Sequence, residues 1–183
     1  MSDNKPRLEP IPVDEWDAPT RALFADLPNV LASPPNIIAT FVHHPPLLAA
    51  WMGLANHVFS DNYTLPPHDR ELVILRTGMR CNSSYELAQH VRIAHAMGMS
   101  DAELDQVREG PDAPGLAPFD ALLLRAVDEL HDRQLLTRAT WDELARSYTE
   151  RQLLDLVLTA GQYTLIAMAA NSLEVADEGF LVE

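Results

Sequence analysis

Two adjoining stretches, Arg70-Glu71-Leu72-Val73-Ile74-Leu75-Arg76 and Cys81-Asn82-Ser83-Ser84-Tyr85-Glu86-Leu87-Ala88-Gln89-His90, decide how this chain folds. In the first, Glu71 shares its helical face with Ile74, Leu75, Gly78 and Met79, an apolar stripe that turns the carboxylate inward. Pro66-Pro67 opens that helix, because a first turn has no intrahelical partner for its N–H groups, and the spacing carries it to about Arg80. In the second, Ser83 and Glu86 match a capping box and Gly98 supplies a left-handed stop, which predicts a helix from Ser83 to Met97. Glu86 and His90 lie four residues apart on the face of Ile93, Ala94 and Met97, so both point inward near its N-terminus.

The same grammar extends in both directions. Alternating β-branched runs bounded by hairpin turns are missing, whereas helix starts and stops recur, so the fold class is all-α. Upstream, Met1 to about residue 17 reads as an extended arm. Helices are expected from about Ala18 to Leu27, near Ile37 to Val42 and from Leu47 to Phe59, with His43-His44-Pro45-Pro46 as punctuation. Downstream, Ser100 and Glu103 repeat the capping-box spacing for a helix ending near Gly110. Pro118 starts another through about His131, Thr137 or Thr140 caps one around Trp141, and Thr149 with Gln152 precedes the run Leu153 to Ala170. Asp177 to Glu183 reads as a tail. The Leu153–Ala170 run is almost long enough to cross a bilayer, but Asp155, Thr159, Gln162, Tyr163 and Thr164 interrupt it, which suits a core or subunit-contact helix better.

Composition bounds the function. The chain has 183 residues, 47% of them hydrophobic, enough for one globular domain with a substantial core. Twenty-seven acidic residues against thirteen basic ones give a net charge of −14, a field that repels phosphate backbones and anionic membranes. Neither nucleic acid nor membrane is an expected partner, and a carboxylated ligand would need locally placed arginines, for which Arg70, Arg76, Arg80 and Arg92 are nearest. Cys81 is the single cysteine, so no intramolecular disulfide forms. Together with an N-terminus that has no apolar h-region, this points to a reducing, cytoplasmic setting.

Glu71, Glu86 and His90 are the candidate catalytic residues. A buried carboxylate is costly unless paired, so the three are expected to form one hydrogen-bonded group around a pocket, with burial raising a carboxyl pKa into the range of useful proton donors. Against this, Ser83-x-x-Glu86 can be a plain cap and Glu86/His90 an ordinary i,i+4 contact. A carboxylate-rich metal site would need a second spaced pair from His43, His44 or His57, and none is present, so no metal is expected. No Gly-rich phosphate cradle appears and no cofactor is expected. Tyr85, Arg80 and Gln89 are candidates for substrate contact, and Trp51 and Tyr163 for pocket lining. Cys81 lies near a helix N-terminus; it is either a buried small residue or a thiol nucleophile served by an external thiol.

The segment resembles the core motif of the carboxymuconolactone decarboxylase superfamily, which includes the alkyl hydroperoxidase D-like (AhpD-like) proteins. Pro35-Asn36-Ile37, His44-Pro45-Pro46-Leu47-Leu48, Leu65-Pro66-Pro67 with Asp69-Arg70-Glu71, Tyr85-Glu86 with Gln89-His90-Val91, and Gly161-Gln162-Tyr163 carry the resemblance along most of the chain. It implies an AhpD-like helical bundle, a homo-oligomer (trimer or hexamer), and a site among the motif helices. The peroxidase branch has Cys-x-x-Cys where this chain has Ser83 and Glu86, so disulfide cycling is not expected here. The decarboxylase-like branch keeps non-sulfur residues there. By that resemblance Glu86 is the general acid or base, His90 its partner, and Glu71 the orienting carboxylate, acting on a small carboxylated lactone or related ring-cleavage product. The alternatives are hydroperoxide reduction by Cys81 and a non-catalytic binding module.

Overall fold

The computed structural model describes residues 5–178, and these form helices with no strand among them. After a 3-10 turn at Val13–Glu15 come α1 (Ala18–Ala22), α2 (Pro28–Ala32), α3 (Asn36–Phe41), α4 (Pro45–Val58) and α5 (Pro67–Arg80). Then follow α6 (Ser84–Ala96), α7 (Asp101–Glu109), α8 (Pro118–Arg133), α9 (Arg138–Leu144) and α10 (Glu150–Leu173). The expected first helix stops at Ala22 and a separate α2 begins at Pro28, since proline cannot donate into a continuing helix. Pro45 and Pro46 do not punctuate: they occupy the first turn of α4, capped by the His44 ring, where their missing N–H groups cost nothing. The capping boxes at Ser100–Glu103 and Thr149–Gln152 are both reciprocal. The first four residues of the arm and residues 179–183 of the expected tail lie outside the described residues.

Helix α5 is the centre of the bundle. Residues Glu71 to Gly78 are all buried, and α6, α7, α8 and α10 pack around it. Leu72, Val73 and Leu75 join Leu123, Leu124 and Val127 of α8 and Leu156 of α10 in the main core, while Ile74 faces Ile37, Tyr85 and Tyr163 in a second cluster. A third cluster, around Trp16, Phe24, Leu48 and Met52, seats the N-terminal segment on α4. Helix α10 is long and apolar enough to cross a membrane, yet much of its apolar surface is packed inside the protein.

A charge inside this core needs complete compensation. The Arg76 guanidinium has it: Nε and Nη2 each donate to Asp128 of α8 at 2.8 Å, and Nη1 donates to the carbonyls of Val107 and Arg108 at 2.9 and 3.0 Å. The bidentate pair ties α5 to α8, and the carbonyl contacts hold the end of α7. Gly110 makes room for it, with φ at 109° and a hypothetical Cβ only 2.7 Å from Arg76 Nη2. Replacing Arg76 by Met leaves two carbonyls without their donor and Asp128 with only the longer contact to Arg80 at 3.5 Å. We expect a loss of about 3 kcal/mol in unfolding free energy, read from urea melts; a loss below about 1 kcal/mol would show that the pair does not hold the bundle.

Candidate active site

The site forms where α5 and α6 lie side by side. Gly78 allows their approach: a Cβ there would stand 3.4 Å from the Glu86 Cβ and from Leu87. The tight link between them needs Asn82 at φ 50°, a left-handed position that asparagine tolerates. Glu71, fully buried on α5, uses both carboxylate oxygens. Oε1 accepts from Arg70 Nε at 3.1 Å and Oε2 accepts from His90 Nδ1 at 2.7 Å. Arg70 is fixed in turn by the Val58 carbonyl at 3.4 Å and by the Phe59 ring, 5.1 Å from its guanidinium carbon. The edge-to-face contact of His90 with Tyr163, 5.0 Å between centroids, sets the imidazole plane. With Nδ1 committed to Glu71, Nε2 is the nitrogen left to other partners in a ring that lines a cavity.

That cavity is about 190 Å³ and opens beside Glu86, His90, Gln89 and Gln162, with walls from Trp51, Phe59, Ile93, Tyr163 and Ile166. Its lining contains no lysine or arginine. Glu86 is 4% exposed, and burial alone pushes its carboxyl up to about 8, so the group is mostly neutral at pH 7. Among the described residues no hydrogen bond reaches its carboxyl. Two further polar atoms in lining residues, Trp51 Nε1 and Gln162 Oε1, are buried without partners. The site thus sets a neutral acid one helical turn from a tethered base.

The structure corrects two expectations of geometry. Glu71, Glu86 and His90 do not form one hydrogen-bonded group: Glu71 and His90 pair, while Glu86 stands apart in the cavity wall. Ser83 caps α6 through Glu86 N–H at 3.5 Å, but the return bond of a capping box is missing because the Glu86 side chain turns inward. Of the residues expected at the substrate, Tyr85 and Gln89 line the cavity. Arg80 does not; it is paired with Asp132 and with Asp128 at 3.5 Å, beside a different groove. Cys81 is half-buried outside the cavity, with Sγ 3.8 Å from His131 Nδ1, and burial pushes its thiol upward. The other histidines are engaged, His57 with Asp155 at 2.8 Å and His43 with the Glu9 carbonyl at 2.9 Å. The one cluster with metal-ligand spacing among the described residues, His68, Asp69 and Asp120, does not line the cavity.

Sequence reasoning missed the rim. Asp177 and Glu178, read as tail, fold back onto the cavity edge. Glu178 accepts from Tyr85 Oη at 2.8 Å, from Gln89 and from the backbone of Asn36, while Asp177 pairs with Arg92 at 2.9 Å. No local periodicity could have signalled contacts with partners this remote along the chain.

Residues 45–129 match the carboxymuconolactone decarboxylase family. No curated protein matches the chain. Among solved structures, an uncharacterized peroxidase-related protein from Silicibacter sp. TM1040 superposes with a TM-score of 0.82 at 14% identity, covering 98% of this chain and 96% of that one. A second peroxidase-related protein with an alkylhydroperoxidase AhpD core, from Ralstonia eutropha JMP134, gives 0.79 at 16% identity over 94% and 93%. The debrominase Bmp8 gives 0.74 at 16% identity over 94% and 92%, and a variant of it has been solved with 2,3,4-tribromopyrrole. The shared feature is the AhpD-like helical fold.

Because burial raises the Glu86 carboxyl, the folded state holds its proton more tightly than the unfolded chain. Its contribution therefore favours folding at low pH and is lost as pH rises from the ordinary carboxyl range of 4.5 through about 8. Glu86→Gln removes this dependence. Relative to wild type it should melt at a similar temperature at pH 4.5 and roughly 5 °C or more higher at pH 9, measured by calorimetry; equal melting at both pH values would mean that Glu86 is not held neutral.

Proposed function

We propose that this chain, whose residues 45–129 match the carboxymuconolactone decarboxylase family and whose helical fold is AhpD-like, is a proton-transfer enzyme of the lyase or isomerase type, acting on a small ring-shaped carbonyl compound such as a carboxylated lactone. The observation that carries this reading is the pairing of a neutral Glu86 with a His90 whose Nδ1 is tied to buried Glu71. The two groups sit one helical turn apart on one cavity wall, a carboxyl that holds its proton and an imidazole whose second ring nitrogen Glu71 does not engage, which is the placement that general acid and general base require.

In this reading the cavity takes up the ring between Tyr163, Ile166 and Trp51, with its polar edge toward Glu86 and Gln162. A substrate carboxylate finds no cation in the lining to stabilise its charge, and desolvation without a partner favours departure as CO2. The electron pair left behind passes into the conjugated carbonyl, and the Glu86 O–H delivers its proton to carbon. The His90 ring, held at Nδ1 by Glu71, relays a proton from solvent to Glu86 through Nε2. In an isomerisation without CO2 loss, Nε2 abstracts the proton and Glu86 supplies one elsewhere on the ring. Thiol chemistry is less well supported, since Cys81 does not line this cavity and its thiol is pushed up.

The test is turnover of a panel of carboxylated lactones and of alkyl hydroperoxides. Glu86→Gln should lower lactone kcat at least 100-fold, in keeping with the contribution of a positioned acid, with Cys81→Ala near wild type. Lactone kcat/KM should fall as pH rises through about 8 as Glu86 ionises. Hydroperoxide turnover abolished by Cys81→Ala would refute the acid–base reading.

A further inference from the structure

The chain has four tyrosines, and three of their hydroxyls are paired. Tyr63 Oη meets Thr159 Oγ1 at 2.7 Å, Tyr85 Oη donates to Glu178 at 2.8 Å, and Tyr148 Oη donates to Asp69 at 2.5 Å. Tyr163 differs. It is the most deeply buried of the four, at 3% exposure, yet among the described residues no hydrogen bond reaches its hydroxyl. A hydroxyl withdrawn from water without a partner is a standing cost, and one in the wall of a cavity is met only by what the cavity holds.

Its surroundings fix what it offers. The Tyr163 ring stands edge-to-face on His90 and lines the cavity opposite no cation, with Glu86 in the same wall set. Burial pushes the Tyr163 hydroxyl well above its ordinary range, and the charges of Glu86 and Glu71 push it further, so the group keeps its proton and acts as a donor at any working pH. The influence of those two carboxyls also places the hydroxyl end of the ring on the α5–α6 side of the cavity.

We propose that Tyr163 is a further catalytic residue of this cavity, the donor that holds the carbonyl oxygen of the substrate ring and stabilises the negative charge that collects there. This rests on the proton-transfer reading above and supplies what that reading leaves open. When CO2 departs, the electron pair of the broken C–C bond passes through the conjugated system to the carbonyl oxygen; in an isomerisation the pair comes from the C–H bond whose proton His90 takes. Either way the oxygen becomes an enolate in a lining without lysine or arginine. Tyr163 gives it a hydrogen bond and no proton, and the pair returns to carbon as the Glu86 proton arrives. Glu86 belongs to α6 and Tyr163 to α10, so the ring is met at carbon from one helix and at oxygen from another. A donor already fixed in a dry site needs no reorganisation as charge develops, and a tyrosine O–H near a protonated carboxyl can carry an oxyanion with no cation present.

The class of ligand follows. It is a single ring bearing oxygen, as a carbonyl or a phenolic hydroxyl, because the cavity of about 190 Å³ is only somewhat larger than the roughly 150 Å³ that takes benzene.

Phenol and toluene, alike in shape and different in one oxygen, test this by titration calorimetry of wild type, Tyr163→Phe and Tyr63→Phe, alongside lactone turnover. Wild type should bind phenol in preference to toluene. Tyr163→Phe should weaken phenol about tenfold, leave toluene unchanged, and melt no lower than wild type, since the lost hydroxyl has no partner in the chain. Tyr63→Phe loses its contact with Thr159, so it should melt lower and keep the preference. On a lactone that wild type turns over, Tyr163→Phe should lower kcat roughly 100-fold with little change in KM. If wild type turns over no lactone while the phenol preference vanishes in Tyr163→Phe, the reaction proposed for the site fails and the ligand contact of Tyr163 stands. A wild type without preference for phenol, a preference that survives in Tyr163→Phe, or an unchanged kcat in that variant would overturn the role of Tyr163.

Discussion

Burying α5 on every side while it carries both Glu71 and Arg76 is the constraint around which this protein is arranged. Each charge must be met by partners from another helix, and each set of partners fixes a neighbour: Asp128 brings in α8, the carbonyls of Val107 and Arg108 bring in α7, and His90 brings in α6. The hydrophobic core alone would accept several rotations of these helices. The two charges accept one, because a stranded buried ion is far more costly than an imperfect apolar contact.

The same constraint makes the cavity chemically asymmetric. Glu71 is buried with two donors and Glu86 is buried with none, although they lie on adjacent helices. Two carboxyl groups in similar burial therefore have opposite surroundings, Glu71 held by donors and Glu86 pushed up by burial alone, and the imidazole inherits its orientation from the paired one. Arg70 belongs to this arrangement through Glu71 and Phe59, and not as a substrate anchor.

Much of this was legible in the sequence wherever the signal was local. The α5 stripe through Glu71, the stop at Gly98 and the reciprocal boxes at Ser100 and Thr149 depend on residues within one or two turns, and the helices lie where those signals put them. The Ser83–Glu86 spacing misled on one point: it fits a capping box, but the carboxyl is drawn inward, a choice made by tertiary packing and invisible to spacing. Arg80 and Glu86 stand within two turns of one another along the sequence, yet Arg80 answers to Asp128 and Asp132 across the bundle. The partners of Tyr85 and Gln89 at residue 178 had no local signature at all.

Those last contacts bear on the order in which the molecule is made. The hydrogen bonds at the cavity rim join residues separated by 85 to 142 positions: Arg92 to Asp177, Gln89 and Tyr85 to Glu178, and Asn36 to Glu178. Contacts of such span form late, since the intervening chain must first be ordered. During synthesis the α5–α6 pair, with Glu71 and His90 already within reach of each other, can assemble while α10 is still unmade. The rim cannot. The proton-handling groups are thus in place before the pocket that encloses them, and ligand binding reports that the C-terminal segment has been completed and docked.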